Sequence, residues 1–497
     1  MLRIKSPVEL YRLPEYLSRI FSMKRLSCGS YMIFCALAPD TNAKKSIENI
    51  VLMEALTIYN VNIGNNSVLI TIFATINGRM MKRTGTLTLL LLLTLNLCAQ
   101  FMRTNSASIR SMQMVLNDEW RLPPVMRLHG DDVLQFSFDE MSHTYRRFIY
   151  RIIHCRADWE PTELFDIDFL NGFNNMPIED WENSVNTTML YTNYTFTLPN
   201  ENVSLKLSGN YIVEIIDDEG DDETPVAEFR FSVVEPRVAL SASASGNTDV
   251  DMNGSHQQLS FTVHHPKYNI SNPAEEIITV VCQNRRSDNA VTDAKPAYIT
   301  GSTLQYVHDK KLIFDGGNEY RRFELTDPRV VSMGVEQVSF FEPYFHADLY
   351  VDKPYSFHRN NRDENGRCFV NTLEGYGTFI EADYVFVHFT LDAPRRSGGS
   401  YYLLGDFCYN RFDDTNKLEY DSRDNCYKVT KLLKLGLYNY SYVWVPDGSS
   451  KAQTTPAEGS FYETENEYLI LVYHREFGSR YDKLIGYGRL DHNMEKN

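Results

Sequence analysis

From residue 148 onward the chain repeats one rhythm: five to eight residues rich in Tyr, Phe, Val and Thr, then a break of Gly, Asn, Asp or Pro. β-Branched and aromatic side chains suit a pleated, half-buried surface, and the breaks suit turns, so the rhythm predicts mostly antiparallel strands. Runs at 148–153, 192–198, 211–216 and 227–234 carry it first, the last two joined by the acidic turn 217–223. Together they fit a sandwich of immunoglobulin size. Pro236 then ends a strand, and the small polar residues 240–246 follow. A second unit, 237–378, holds the runs 259–263, 277–282, 298–307 and 340–351, with a polar turn at 363–366 near its end. A third, 379–497, holds 384–391, 401–406, 427–433, 436–443 and 468–474. The expected fold is all-β, with tandem immunoglobulin-like or early-set β-sandwich domains over 100–236, 237–378 and 379–497.

Ahead of these units, Met81, Lys82 and Arg83 lead into a Leu-rich run, 87–95, and then Leu97, Cys98, Ala99 and Gln100. A basic head, an apolar run too short to span a bilayer of about 30 Å, and a small residue at the cut are the parts of a secretory signal peptide, here 81–99. Such signals act at a free N-terminus. Residues 1–80 are therefore expected to be a spurious upstream extension, with translation starting at Met81; the alternative is a genuine leader. An acylated Cys98 is disfavoured by Leu97, where lipoprotein sites want a small residue. Of 49 basic and 65 acidic residues, 11 and 5 precede residue 100, leaving 38 and 60 and a formal charge of −22. An exported chain so acidic is a poor partner for nucleic acid or anionic lipid. Five cysteines remain, Cys155, Cys282, Cys368, Cys408 and Cys426, with no C-x-x-C pair. This is no disulfide scaffold, and a Cys408–Cys426 bridge is left open beside buried free thiols.

Catalytic motifs are absent: there is no G-x-S-x-G, H-E-x-x-H, Walker loop or G-x-G-x-x-G. Asp249, Asp251, Asn253 and Gly254 match the opening of a calcium loop, but its twelfth position is Ser260 rather than a bidentate Glu, so a solvated turn is expected. His154 and Cys155 are adjacent in a strand and face opposite ways, which argues against a thiol site. The expectation is no catalytic residue, cofactor or metal. In the third unit, the order strand, Leu404-Gly405-Asp406 turn, strand resembles starch- and glycogen-binding modules. The expected sugar-stacking position reads 407–412 without a Trp, so the likeness is one of topology.

A longer series of short runs carries a more specific resemblance. Residues 152–161, 169–173, 184–187, 191–194 and 207–211 resemble the first domain of the plug protein of the type IX secretion system. In the same family order come Gln283 to Arg285, Asn289, Lys295-Pro296, 316–321, 363–366, 381–384, 435–440, 463–466 and 480–485. Residues 1–80 match nothing in that family. The resemblance implies a non-enzymatic periplasmic protein, peripheral to the outer membrane, that closes the periplasmic opening of the large translocon barrel while it is idle. Its partner would be that barrel, with no nucleic acid and no small-molecule substrate. The alternative is a periplasmic or surface carbohydrate-binding or adhesin-like sandwich protein, which requires a flat platform of exposed aromatics; a hydrolase with an unfamiliar site ranks last. For partner contact the candidates are Trp159, Phe173, Trp181, Tyr191 and Tyr194. Gly209 and Gly316 are expected in turns with positive φ, and Asp158, Glu319 and Arg321 in buried pairs.

Overall fold

The computed structural model describes residues 101–220, 223–373 and 379–492, and four strands upstream. The upstream strands form two antiparallel pairs, Phe21–Arg25 with Tyr31–Cys35 and Leu56–Ile63 with Asn66–Phe73. The expected signal peptide, 81–99, lies outside the described residues. The remainder, from Leu97 on, is a separate unit whose regular elements are nearly all strands, and no helix among the described residues is long and apolar enough to cross a membrane.

Residues 102–234 form the first sandwich. One sheet runs Asp180–Asn183, Thr192–Leu198, Leu134–Glu140, Ile109–Leu116. The other runs Met176–Pro177, Phe148–Cys155, Gly209–Asp217, Ala227–Val234, Met102–Thr104, with Val125–Arg127 parallel to Ala227–Val234. Alternation decides which side chains enter: Phe148, Tyr150 and Ile152 are buried while Ile149, Arg151 and Ile153 are only half-buried. Between the sheets Phe136 stacks on Phe196 at 4.8 Å and meets Phe229 edge-on at 5.3 Å. Such offset and edge contacts add about 0.5–1.5 kcal/mol per pair to area burial.

Beyond residue 236, strand pairing departs from chain order. Ala239–Ser245, His256–His264, Thr303–Tyr306 and Tyr298–Thr300 make one sheet, with Ile313–Asp315 also on His256–His264. The facing sheet is Ile277–Gln283, Glu467–His474, Lys483–Asp491, and its Tyr468, Ile470 and Val472 share a core with Leu259 and Phe261. Residues 321–446 supply the other sandwich. Gly436–Pro446 pairs with Arg321–Leu325, Cys368–Val370 and Gly399–Leu404. Against it lies the sheet Val335–Phe341, Tyr344–Leu349, Tyr384–Leu391, Cys426–Lys434, Glu419–Asp421. So strands on the two sides of 378/379 are exchanged: 321–325, 344–349 and 368–370 pair with strands beyond 379, 335–341 joins that sheet through 344–349, and 467–474 pairs back with 277–283. The reason is visible in Glu467–His474, buried at every position. A strand covered on both faces carries no alternation that would assign it to a neighbour in sequence.

Cys155, Cys282, Cys368, Cys408 and Cys426 are free thiols. Gly209 has φ +138°, as expected, and a Cβ there would lie 2.7 Å from His154 Nε2. At the other position the left-handed residue is Gly317, φ +65°; Gly316 serves close approach instead, since a Cβ would come within 2.0 Å of the Phe461 carbonyl oxygen.

Candidate interaction surface

The segment from Trp159 to Asn183 leaves the Phe148–Cys155 strand and returns along the rim of the first sandwich. Trp159 sits at φ +66° in the turn that follows the strand, half-buried, with the Arg230 guanidinium 5.5 Å from its ring centre. The helical turn Asp166–Phe169 is held by Asp168, whose carboxylate accepts the Phe165 backbone N–H at 3.1 Å. Phe169 points into the core. Phe165 and Ile167 consequently face outward, 74% and 77% exposed. Gly172, φ +97°, then presses the chain onto the neighbouring turn, where a Cβ would sit 1.9 Å from the Asn202 oxygen. Phe173 therefore projects outward, 76% exposed. Two cations fix the loop from outside: Lys206 Nζ donates to the Ile167 carbonyl at 2.7 Å, and Arg480 meets Asp168 at 3.2 Å. Arg480 brings the turn carrying fully exposed Phe477 beside the same loop. Trp181, on the edge strand, is 39% exposed and leans on Tyr145 at 4.9 Å.

Tyr191 and Tyr194 are elsewhere in kind. Both are wholly buried, so neither offers a partner any surface. The Tyr194 hydroxyl donates to the Arg146 carbonyl at 2.9 Å, and its ring stacks on Phe138. The Tyr191 hydroxyl lies 2.7 and 2.8 Å from the carbonyl oxygens of Phe379 and Ala382, tying the first sandwich to the 321–446 sandwich. Beside it, Asp139 accepts from Lys434 Nζ at 2.7 Å and from the Tyr384 hydroxyl at 2.6 Å, all three buried. A second joint involves the C-terminal strands: Asp482 accepts the Ala157 N–H at 2.9 Å and pairs with Arg475, and the Tyr473 hydroxyl donates to Asn210 at 2.7 Å. A third gathers Arg367 and Arg489 on buried Glu467, at 2.7 and 2.6 Å. Burial pushes the Glu467 carboxyl up, but the arginines outweigh it and hold it below its ordinary value. The positions behind the resemblance, 283–289, 363–366, 435–440 and 463–466, converge on these joints. Glu467 N donates to Asn284 and Glu364 N to Asn439, both at 2.8 Å.

Of the expected buried pairs, Arg321 is held by Glu458 and Asp352, with Nη1 2.6 Å from Asp352. Glu319 accepts the Glu465 N–H at 2.9 Å, and Asp158 is partly exposed beside Arg156. His154 contacts Thr162 and the Ser208 carbonyl at 3.1 and 3.2 Å, and burial lowers it to about 4. Burial likewise drives the Cys155 thiol up to about 12, the opposite of nucleophile activation. The carboxylates of Asp249 and Asp251 are taken by Gln258, Ser255 and His256 of the same hairpin and by His308 from a neighbouring loop.

A second exposed apolar surface was not marked by the sequence reading. Val335–Phe341 is an edge strand, paired on one side by Tyr344–Leu349, and Phe340 and Phe341 are 53% and 65% exposed. Val330, Val331, Met333 and Tyr350 are exposed along the same edge. Unpaired, apolar edges of this kind are normally blunted unless something covers them. The rings here meet at 77° for Phe341 with His346 and 68° for Tyr344 with Phe386, while His346 stacks on Phe386 at 5.0 Å.

Residues 109–235, the body of the first sandwich, match the family described as type 9 secretion system plug protein 1st domain. A crystal structure of a hypothetical protein from Parabacteroides merdae is 40% identical, with 79% of this chain and 99% of that one covered and a TM-score of 0.77. Dimeric latent PorU from Porphyromonas gingivalis aligns at 8% identity over 78% of this chain and 34% of its own, with a TM-score of 0.13. Among curated proteins none matches.

Proposed function

The chain belongs to the type 9 secretion system plug protein family, and from that premise we propose that it closes the periplasmic opening of the system's outer-membrane translocon barrel as a non-enzymatic plug. A barrel wide enough for folded cargo leaks small solutes unless it is occluded. Occlusion needs area, stiffness and surface complementarity, and it needs no nucleophile. The observation that carries this reading is the family match of residues 109–235, a sandwich joined to the rest of the unit through the buried Asp139–Lys434 pair. The two residues are 295 positions apart in sequence, so the joint ties distant parts of the chain together.

Within this reading, Phe165, Ile167, Phe173 and Trp181 face the barrel, with Trp159 bracing the base of their loop, and the protein works in the periplasm. Exposed aromatic anchors surrounded by polar residues are the usual carriers of interface energy. The test is affinity isolation of the tagged chain from detergent-solubilised outer membranes, with mass spectrometry of the eluate. A giant outer-membrane barrel co-eluting in stoichiometric amount is the expected result; a chain that elutes alone contradicts it.

A further inference from the structure

Where the first sandwich, the 321–446 sandwich and Arg285 meet lies a cavity of about 360 Å³. Small-molecule pockets run from about 300 to 1,000 Å³, and at roughly 30 Å³ per liquid water this one holds about a dozen non-hydrogen atoms. Its walls are largely apolar, with Met112, Met114 and Trp120 on one side and Phe369 and Val370 on the other. Trp120 stacks on Phe369 at 5.2 Å, so the two sides close on each other.

The polar element is Arg285, whose side chain is 9% exposed. A guanidinium has five N–H donors. Among the described residues Arg285 makes one hydrogen bond, Nη2 to the Arg121 carbonyl at 2.8 Å. Its Nε is buried without an acceptor, 3.7 Å from Glu467, and its Nη1 stands 3.8 Å from Asp406. Neither carboxylate is free to serve it: Glu467 is already taken by Arg367 and Arg489, and Asp406 is beyond hydrogen-bonding reach. Of the three guanidinium groups around Glu467, Arg367 and Arg489 hold it directly and Arg489 also takes Asp491 at 3.1 Å, which leaves Arg285 the one without a carboxylate in hydrogen-bonding reach. Asp118, also in the lining, is exposed and its charge is screened by water. A buried, under-bonded guanidinium in an apolar wall is costly until an acceptor reaches it, and its planar fork matches a carboxylate.

We propose that this cavity binds a short aliphatic carboxylate, its head on the Arg285 guanidinium and its chain between Met114, Trp120 and Phe369. This goes beyond the plug reading and does not rest on it. Decanoate has twelve non-hydrogen atoms, which suits the volume, and it serves as the probe. Calorimetric titration of the full chain, below the micelle-forming concentration, is expected to give saturable one-to-one binding. Arg285→Gln and Met114→Trp should each weaken it at least about tenfold, the first by removing the charge and the second by filling the space. 1-Decanol should bind at least about tenfold more weakly than decanoate. Glu467 keeps two arginines when Arg285 is replaced, so that variant should fold; if it does not, Met114→Trp decides. No saturable decanoate binding, equal binding by the variants, or decanol binding as well as decanoate would each overturn the proposal.

Discussion

Asp139 and Lys434 meet in the interior at 2.7 Å with 0% and 1% of their side chains exposed, so each is the other's compensation for leaving water. Replacing Asp139 with Asn leaves a buried ammonium facing a neutral amide, and breaking such a pair costs about 3–5 kcal/mol. Urea unfolding of Asp139→Asn should show that loss, and Lys434→Met added to it should recover part. Glu319 offers a pH test. Burial, its largest cause, drives the Glu319 carboxyl well above its usual range, and burial with repulsion from Glu319 does the same to Asp363. Unfolded carboxyls ionise near pH 4, so between that pH and neutrality the folded chain holds more protons. Stability is then fullest in acid and falls as pH rises through the raised values. Glu319→Gln keeps the acceptor for Glu465 N–H, and its thermal midpoint should drop less than the native chain's between pH 5 and 8, by about 2 °C.

At the level of elements, the loop 163–173 and the strand Val335–Phe341 each present several large apolar residues to water. Phe173→Ala and Trp181→Ala should change folding stability by no more than about 0.5 kcal/mol while reducing the barrel recovered on affinity isolation. Tyr194→Ala, by contrast, should cost about 3–5 kcal/mol, read by the same urea titration. That contrast also marks how far the sequence could be read. Alternation places four strands of the first sandwich closely, because Phe148–Cys155 has one face inward and one half-covered, but it passes over Ile109–Leu116 and the largely buried Leu134–Glu140. The irregular segment from Trp159 to Phe173, rich in aromatics and acids, is legible too. Alternation could not separate Tyr191 and Tyr194 from Phe173, since a large aromatic in a strand reads alike whether its far side is solvent or a second sandwich. Nor could it find the exchange of strands around Glu467–His474, whose partner Ile277–Gln283 lies nearly two hundred residues away and whose positions are all buried. The positions behind the family resemblance, such as Asn284 and Asn439, turned out to hold joints together, a role that depends on residues remote in sequence.

For the whole unit, three sandwiches share buried polar joints at Asp139–Lys434, at Asp482 with the Ala157 N–H, and at Glu467 with Arg367, so no sandwich can leave without exposing charge. Calorimetry on the full chain should therefore give one cooperative transition for residues 101–492 rather than three, and Asp139→Asn should split off the first sandwich as a separate, lower-melting event. Such stiffness is what an occluding body requires. Its most direct test is electrical. The purified translocon barrel, reconstituted alone in a planar bilayer, should carry a large steady current, and the chain added to the periplasmic side should reduce that current saturably towards zero. A current that persists while the chain is bound to the barrel would contradict the plug.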